Sequence, residues 1–242
     1  MQGYKLVLFF ILLFPGNIFG QKNYLNEDTF DAFSKYLSKE FGIACKIPVG
    51  FTNMDKYNVM WKVRKNKDKH TGNIYGSTFI SSNRECIVLY SAFPKHVSKE
   101  DIEMRKKMAL PIYPRSQIEA EIKTAIGLYY YPMHPLNNDS TRFDFNDYVT
   151  IVSGKKAGEM FNADSIYIYE IPRADSVYFI DEYLEKIRKR KYPYCTSLFV
   201  SKNDRVSIDV KLFFTKKGKK KEDKYINLLS KQVWFDEDFR RK

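Results

Sequence analysis

The candidate catalytic groups of this chain are few, and none stands at the spacing of a known catalytic motif. The three histidines are His70, His96 and His134. Nucleophilic catalysis needs a base beside the nucleophile, and no Gly-x-Ser-x-Gly, His-Glu-x-x-His or catalytic-cysteine signature lies near any of them. His134 is the best candidate, because it lies between Pro132 and Pro135 in an aromatic stretch that could wall a pocket.

Paired carboxylates offer a second route to chemistry. Asp144 and Asp147 flank Phe145-Asn146, and together with His134 they make a hydrolase the alternative hypothesis. Hydrolysis of a glycosidic bond by two carboxyl groups requires that burial raise the pKa of one of them while the other keeps an ordinary pKa. Asp144 is predicted instead to cap the segment that follows it. With no EF-hand loop, phosphate loop or Cys/His zinc spacing in the sequence, we predict no catalytic residue, metal or cofactor.

Positive charge is the most unusual feature of the composition. The chain has 41 Lys and Arg against 29 Asp and Glu, a net charge of +12. Basic residues cluster at 186–191 and at 216–221, and the second cluster is predicted to project as a mobile loop. Clusters of this kind attract acidic polymers, lipid head groups or glycans, although a solvated surface explains them equally well. The candidate binding residues are Lys189, Arg190, Lys219 and Lys220.

A run of tyrosines supplies a different candidate surface. Tyr129, Tyr130 and Tyr131 stand directly before Pro132 and His134. Tyrosine rings present a flat apolar face and a polar edge, which suits contacts with sugars. We therefore include these tyrosines and His134 among the candidate binding residues. Most of the 19 phenylalanines are expected in the core.

The N-terminus predicts export. Lys5 is followed by the apolar run 6–14, and the small residue Gly20 precedes a predicted cleavage site between Gly20 and Gln21. This pattern is typical of a signal peptide over 1–20, with an N-terminal buried helix as the alternative. Residues 21–242 are then one α+β domain, periplasmic or secreted, with no later segment able to span a membrane. Export disfavours nucleic acid as a partner.

Hydrophobic spacing predicts the elements that must position these residues. Helices are expected over 28–41, 98–108, 116–126, 155–161, 181–191 and 222–233, and the third of these is predicted to begin with a capping box, Ser116-x-x-Glu119. Strands are expected over 43–47, 57–64, 74–80, 86–93, 166–171, 194–201 and 206–214. Residues 62–70 read as a polar connection and 145–153 as helix or strand. Apolar residues at strict period two in 206–214 predict one buried and one wetter face.

Adjacent hairpins in this order predict an α+β fold, a mostly antiparallel sheet with helices packed on it. Cys45, Cys86 and Cys195 are expected to be buried thiols, with one disulfide as the alternative.

Residues 194–235 resemble the PsbP-like fold through the strand 206–214, Leu228, Leu229, Val233 and Phe235. That resemblance covers under a fifth of the chain and rests on hydrophobic spacing. It implies an α/β/α sandwich used as a protein- or ligand-binding scaffold, and no functional residue transfers. The sequence therefore predicts an exported, non-catalytic module that binds a protein or ligand, with an electrostatic binder of anionic envelope polymers or glycans as a further alternative.

Overall fold

The structure is a computed structural model that describes residues 29–57, 59–66, 69–96, 99–108, 113–126, 143–171, 177–179, 181–203 and 205–239. We number the helices in the described residues along the chain. They are α1 Phe30–Phe41, α2 Lys99–Lys107, α3 Arg115–Ala125, α4 Phe145–Tyr148, α5 Lys155–Phe161, α6 Glu182–Lys191, α7 Lys216–Lys219 and α8 Glu222–Leu229.

The strands of the described residues form a large sheet and a small one. They are β1 Ile43–Cys45, β2 Phe51–Asn53, β3 Val59–Asn66, β4 Lys69–Ser81, β5 Cys86–Ser91, β6 Lys95–His96, β7 Val149–Ser153, β8 Ser165–Glu170, β9 Val177–Phe179, β10 Tyr194–Lys202, β11 Val206–Phe214 and β12 Val233–Phe235. The large sheet runs β7-β8-β10-β11-β5-β4-β3-β9, with β2 added to β4 and β6 to β11. The recorded strand pairs are all antiparallel.

Helices cover both faces of the large sheet. On the side that we call the apolar face, the even-numbered residues of β11 pack with side chains of α1, α5 and α8. On the opposite side, which we call the charged face, Phe213 packs in a second core with side chains of α3, α4 and α6. The α+β class with a mostly antiparallel sheet is therefore confirmed.

Strand β11 is correctly predicted, but its predicted wetter face is wrong. All nine of its residues are buried. Ser207, Asp209 and Lys211 alternate with the apolar residues as expected, yet each is at most 2% exposed. Polar side chains on this face are enclosed because α3 supplies a buried carboxylate, Glu121, that pairs with Lys211.

A β-bulge at Gly76 changes which face β4 presents. Tyr75 pairs with Ser91, whereas Ser77 pairs with Tyr90, so Gly76 is an extra residue in β4. Tyr75 therefore belongs to the core of the charged face. Phe79, four residues later, belongs to the core of the apolar face, although a regular strand would place both on the same side.

Several predicted helix ends are confirmed. Gly42 ends α1 in the left-handed region with φ of 63°, where glycine carries no Cβ penalty. Asp181 caps α6 by accepting from Leu184 N at 2.8 Å. Asp144 caps α4 by accepting from Asn146 N at 2.9 Å, as predicted. Thr29 caps α1 in the described residues, whereas Asp28 lies outside them.

Other predicted boundaries are wrong. The capping box at Ser116 does not form: Pro114 is the N-cap of α3, and Glu119 pairs with Arg115 at 2.8 Å instead of reaching back to the helix start. The predicted connection 62–70 is mostly strand, because main-chain pairing carries β3 and β4 through polar residues. The last predicted helix stops at Leu229, since Val233–Phe235 leaves it to pair with β1.

Candidate functional site

The two basic segments predicted from the sequence meet at one end of the large sheet. Helix α6 leads into β10 at Tyr194, and β11 stops at Phe214 just before α7. Tyr194 and Phe214 are register partners, and Phe214 also pairs with Cys86, which follows the turn 82–85. The C-terminus of α6, helix α7 and this turn therefore form one region, which we call the basic end.

Part of the positive charge at the basic end is neutralised by Glu85. Lys221 Nζ lies 2.8 Å from Glu85 Oε2, and Lys217 Nζ lies 3.1 Å from Glu85 Oε1. The hydrogen bond from Lys221 is the largest influence on this carboxyl and lowers the pKa of Glu85 to about 2. Lys219 is neutralised in the same way by Glu222 at 2.8 Å and Glu170 at 3.3 Å.

These pairs correct the prediction that 216–221 is a mobile loop. The segment contains helix α7, capped by Thr215 Oγ1, which accepts from Gly218 N at 2.9 Å. Gly218 packs so closely that a Cβ there would overlap the carbonyl oxygen of Glu85. The segment is helical because the pairs with Glu85 and this close approach hold it against the turn 82–85.

A second set of cations at the basic end has fewer carboxylates beside it. Lys189 lies 3.3 Å from Glu185, which also binds Arg188 at 2.8 Å. At the basic end, five exposed cations have no recorded ion-pair partner within the described residues. These cations lie in the turn 82–85, at the end of α6 and in or beside α7. They are Arg84, Arg190, Lys191, Lys216 and Lys220. The basic end is therefore a surface of positive potential.

A cavity of about 380 Å³ opens beside these cations, between α6, β2 and the end of β4. Its apolar side chains come from α6, from β4 and from the residue after β2, and the lining comprises Asn53, Met54, Ile80, Arg84, Tyr183, Ile187, Lys191 and Tyr192. The volume is within the range of small ligand sites. The lining side chains are apolar, aromatic, amide and cationic groups, which suit the binding of an apolar or acidic ligand.

The tyrosines of the cavity are fixed by their neighbours. Tyr192 OH donates to the carbonyl oxygen of Arg84 at 2.8 Å, which holds the turn with Arg84 at φ of 55°. Tyr183 is 56% exposed, and Lys56 Nζ lies 5.4 Å from its ring centroid. Lys56 is in turn held by Asp181 at 3.1 Å. These contacts connect α6 to the turn 82–85 on one side of the cavity and to Lys56 on the other.

A cluster of buried charges lies under α3, on the charged face. Lys211 Nζ donates to Glu121 Oε2 and to Ser197 Oγ, both at 2.6 Å, and lies 3.1 Å from Asp209 Oδ1. Tyr169 OH donates to Glu121 Oε2 at 2.6 Å. We call Tyr75, Glu121, Tyr169, Ser197, Asp209 and Lys211 the buried charge cluster, which is completed by a bond of 2.6 Å from Tyr75 OH to Asp209 Oδ2.

Burial and neighbouring charges shift the pKa values of Glu121 and Lys211 in the buried charge cluster. Burial is the largest influence on Glu121 and raises the pKa of its carboxyl, against the attraction of Lys211. Burial alone would lower the pKa of Lys211, but the attraction of Asp209 and Glu121 outweighs it and raises the pKa. Lys211 lies between the carboxyl groups of Glu121 and Asp209, so its buried ammonium has a partner on each side, as an interior requires.

The buried charge cluster holds α3 on the sheet and is closed to a substrate. Each of its residues is at most 2% exposed. The described residues contain no group of three or more His, Cys, Asp or Glu arranged to hold a metal ion. Its chemistry is therefore a set of charge-assisted hydrogen bonds between helix and sheet.

The other candidate residues from the sequence are not brought together by the described structure. Tyr129, Tyr130, Tyr131 and His134 lie outside the described residues, and so does the predicted signal peptide 1–20. Asp144 is occupied in capping α4, and Asp147 is exposed in the same short helix. All three cysteines are free and buried, so the disulfide alternative fails, and burial raises the pKa of each thiol.

Sequence reasoning missed the residues that shape both sites. The sequence places Arg84 between the strands predicted over 74–80 and 86–93, and Tyr183 within the helix predicted over 181–191, and neither position indicates a site. Lys211 and Glu121 lie 90 positions apart in the chain, and the alternation around Lys211 predicts exposure. The sequence signal available was the pair Asp209-x-Lys211 on one face of a strand whose neighbours are apolar.

Comparison with known proteins adds no family to this description. No protein-family model matches the chain, and neither curated proteins nor solved structures gave a match. Within the described residues, no helix has the length and apolar character that crossing a membrane requires.

Proposed function

We propose that this protein is an exported, non-catalytic binding module that docks an acidic protein partner on its basic end. The observation that carries the proposal is the meeting of the two basic segments at one end of the sheet. Arg84, Arg190 and Lys191 stand there without a recorded ion-pair partner in the described residues. A surface of one sign attracts a partner of the other sign and speeds its association.

An acidic protein fits this surface better than an acidic glycan. The cavity beside the cations has apolar walls from Met54, Ile80 and Ile187. Its one side-chain amide, Asn53, already donates to Tyr57 OH at 2.5 Å and accepts from Asp55 N at 3.1 Å. Sugars require many hydrogen-bonding groups, whereas apolar walls next to cations suit acidic segments that also carry apolar side chains.

Binding of poly-L-glutamate tests the proposal. We expect the chain from Gln21 to Lys242 to bind it, with an affinity that falls steadily across a series of about 0.01 to about 1 M salt, because screening weakens exposed charges. Arg190→Gln/Lys191→Gln and Lys216→Gln/Lys220→Gln should each weaken binding about threefold or more. Titration calorimetry or a fluorescent polymer measures the affinity.

The matched control removes the same charge from the opposite end of the sheet. Lys155 and Lys156 follow Ser153, whose register leads through Ser165 to Ser201, the far end of β10 from Tyr194. Lys155→Gln/Lys156→Gln should leave the affinity unchanged. Equal losses in all three double variants, absence of binding at low salt, or tighter binding of polygalacturonate than of polyglutamate would each contradict the proposal.

A further inference from the structure

We infer that the cavity between α6, β2 and the turn 82–85 is an anchor pocket for one aromatic side chain of the acidic partner. The inference rests on the proposed function and adds a specific contact to it. The ligand class is a peptide segment in which a Phe, Tyr or Trp is flanked by Asp or Glu.

The walls of the cavity select an apolar group. Met54, Ile80 and Ile187 line it and pack against the core of the charged face. Tyr183 and Tyr192 add aromatic surface, and Tyr183 is one of the most exposed large apolar side chains among the described residues, at 56%. An aromatic ring inserted here would gain apolar burial and ring contacts.

The rim of the cavity selects acidic neighbours. Arg84 and Lys191 both line it, and both are exposed with no recorded ion-pair partner in the described part of the chain. Glu85, the carboxylate next to Arg84, is already bound by Lys217 and Lys221 and so is not available to neutralise Arg84. Carboxylates on either side of the anchor would therefore meet cations.

The fixed geometry of the cavity lowers the cost of binding. The bond of 2.8 Å from Tyr192 OH to the Arg84 carbonyl oxygen joins the end of α6 to the turn 82–85. Asp181 caps α6 and also holds Lys56, whose ammonium lies beside the Tyr183 ring. A pocket that is preformed loses less side-chain entropy on binding. Partner anchors of this kind carry a large share of interface affinity.

A pair of peptides tests the anchor. We expect the blocked peptide Glu-Glu-Trp-Glu-Glu to bind at least about tenfold more tightly than Glu-Glu-Ala-Glu-Glu, the ratio that burial of one large side chain predicts. Ile187→Gln should remove this ratio, because it makes the pocket wall polar. Ile151→Gln, which alters an exposed isoleucine on the edge strand β7, is the matched control and should keep it.

The outcomes separate the anchor from the proposed function. Circular dichroism and a thermal unfolding curve establish that both variants fold. If both peptides and polyglutamate bind with equal salt dependence but the tryptophan gives no advantage, the anchor is overturned and the basic-end proposal stands. If the ratio persists in Ile187→Gln, the anchor is overturned as well. If neither peptide nor polyglutamate binds, both proposals fall.

Discussion

Strand β11 meets a different kind of core on each of its faces. On the apolar face, Ile208, Val210 and Leu212 pack among apolar side chains, and such contacts are non-directional and independent of pH. On the charged face, Asp209 and Lys211 are joined to Glu121 of α3 by short polar contacts. Both faces are equally buried. Apolar packing stabilises one of them without fixing a direction, whereas pH-sensitive polar contacts fix the position of α3 on the other.

Truncation of one residue on each face should produce the largest losses of stability. Lys211→Ala leaves Glu121 and Asp209 without their cation, and breaking a buried pair costs about 3–5 kcal/mol of the free energy of unfolding. Leu212→Ala, its neighbour on the apolar face, should cost about 2–5 kcal/mol through loss of burial and a cavity. Urea unfolding of both variants measures these losses.

A variant of the buried charge cluster without charges tests whether uncompensated charge is what destabilises Lys211→Ala. Lys211→Met/Glu121→Gln/Asp209→Asn keeps acceptors for Tyr169 and Tyr75 but removes all three charges. Its stability should be well above that of Lys211→Ala, because no buried charge is left uncompensated. A triple variant no more stable than Lys211→Ala would mean that uncompensated charge is not what destabilises Lys211→Ala.

The pH dependence of stability should distinguish the charged face at smaller magnitude. Because the pKa of Glu121 is raised in the folded protein, the folded state holds its proton longer than the unfolded state does. Unfolding free energy should therefore fall as the pH rises above the ordinary value of about 4.5. Glu121→Gln should lack this loss. Urea unfolding across the pH range, compared with wild type, gives the difference, and parallel curves would contradict the raised pKa.

Glu85 should show the opposite sign, with the smallest effect because its partners Lys217 and Lys221 are exposed to solvent. Its folded pKa is lowered from 4.5 to about 2, so its contribution is fully present above about pH 4.5 and is lost as the pH falls toward about 2. Glu85→Gln should unfold with less dependence on pH in that window. An unchanged acid slope in this variant would show that the pairs with Lys217 and Lys221 do not stabilise the fold.

Local signals predicted local features well. The end of the helix predicted over 28–41, the cap at Asp144 and the alternation of β11 each depend on neighbouring residues, and all are confirmed. The capping box at Ser116 failed because Glu119 has a second partner, Arg115, one turn away. A motif of two residues does not show which of two competing bonds will form.

Features that depend on distant residues could not be predicted. The sequence marks Lys189, Arg190, Lys219 and Lys220 as basic, but Glu170, 49 positions earlier than Lys219, helps to neutralise that lysine. Likewise, nothing near Lys211 shows that Glu121 will enclose it. The resemblance of residues 194–235 to the PsbP-like fold, the export of the chain and its organisation as one domain stay predictions.

The bulge at Gly76 makes β4 sensitive to whether an odd or an even number of residues is inserted or deleted there. Tyr75 reaches Asp209 on one side of the sheet, and Phe79 meets Phe30 on the other, only because one additional residue stands between their registers. Deleting a single residue there would exchange the two faces of the strand beyond it, so that the Tyr75 hydroxyl would point to the apolar face and Asp209 would lose its hydrogen bond from Tyr75. Insertions and deletions in this stretch should therefore be tolerated in twos and not singly.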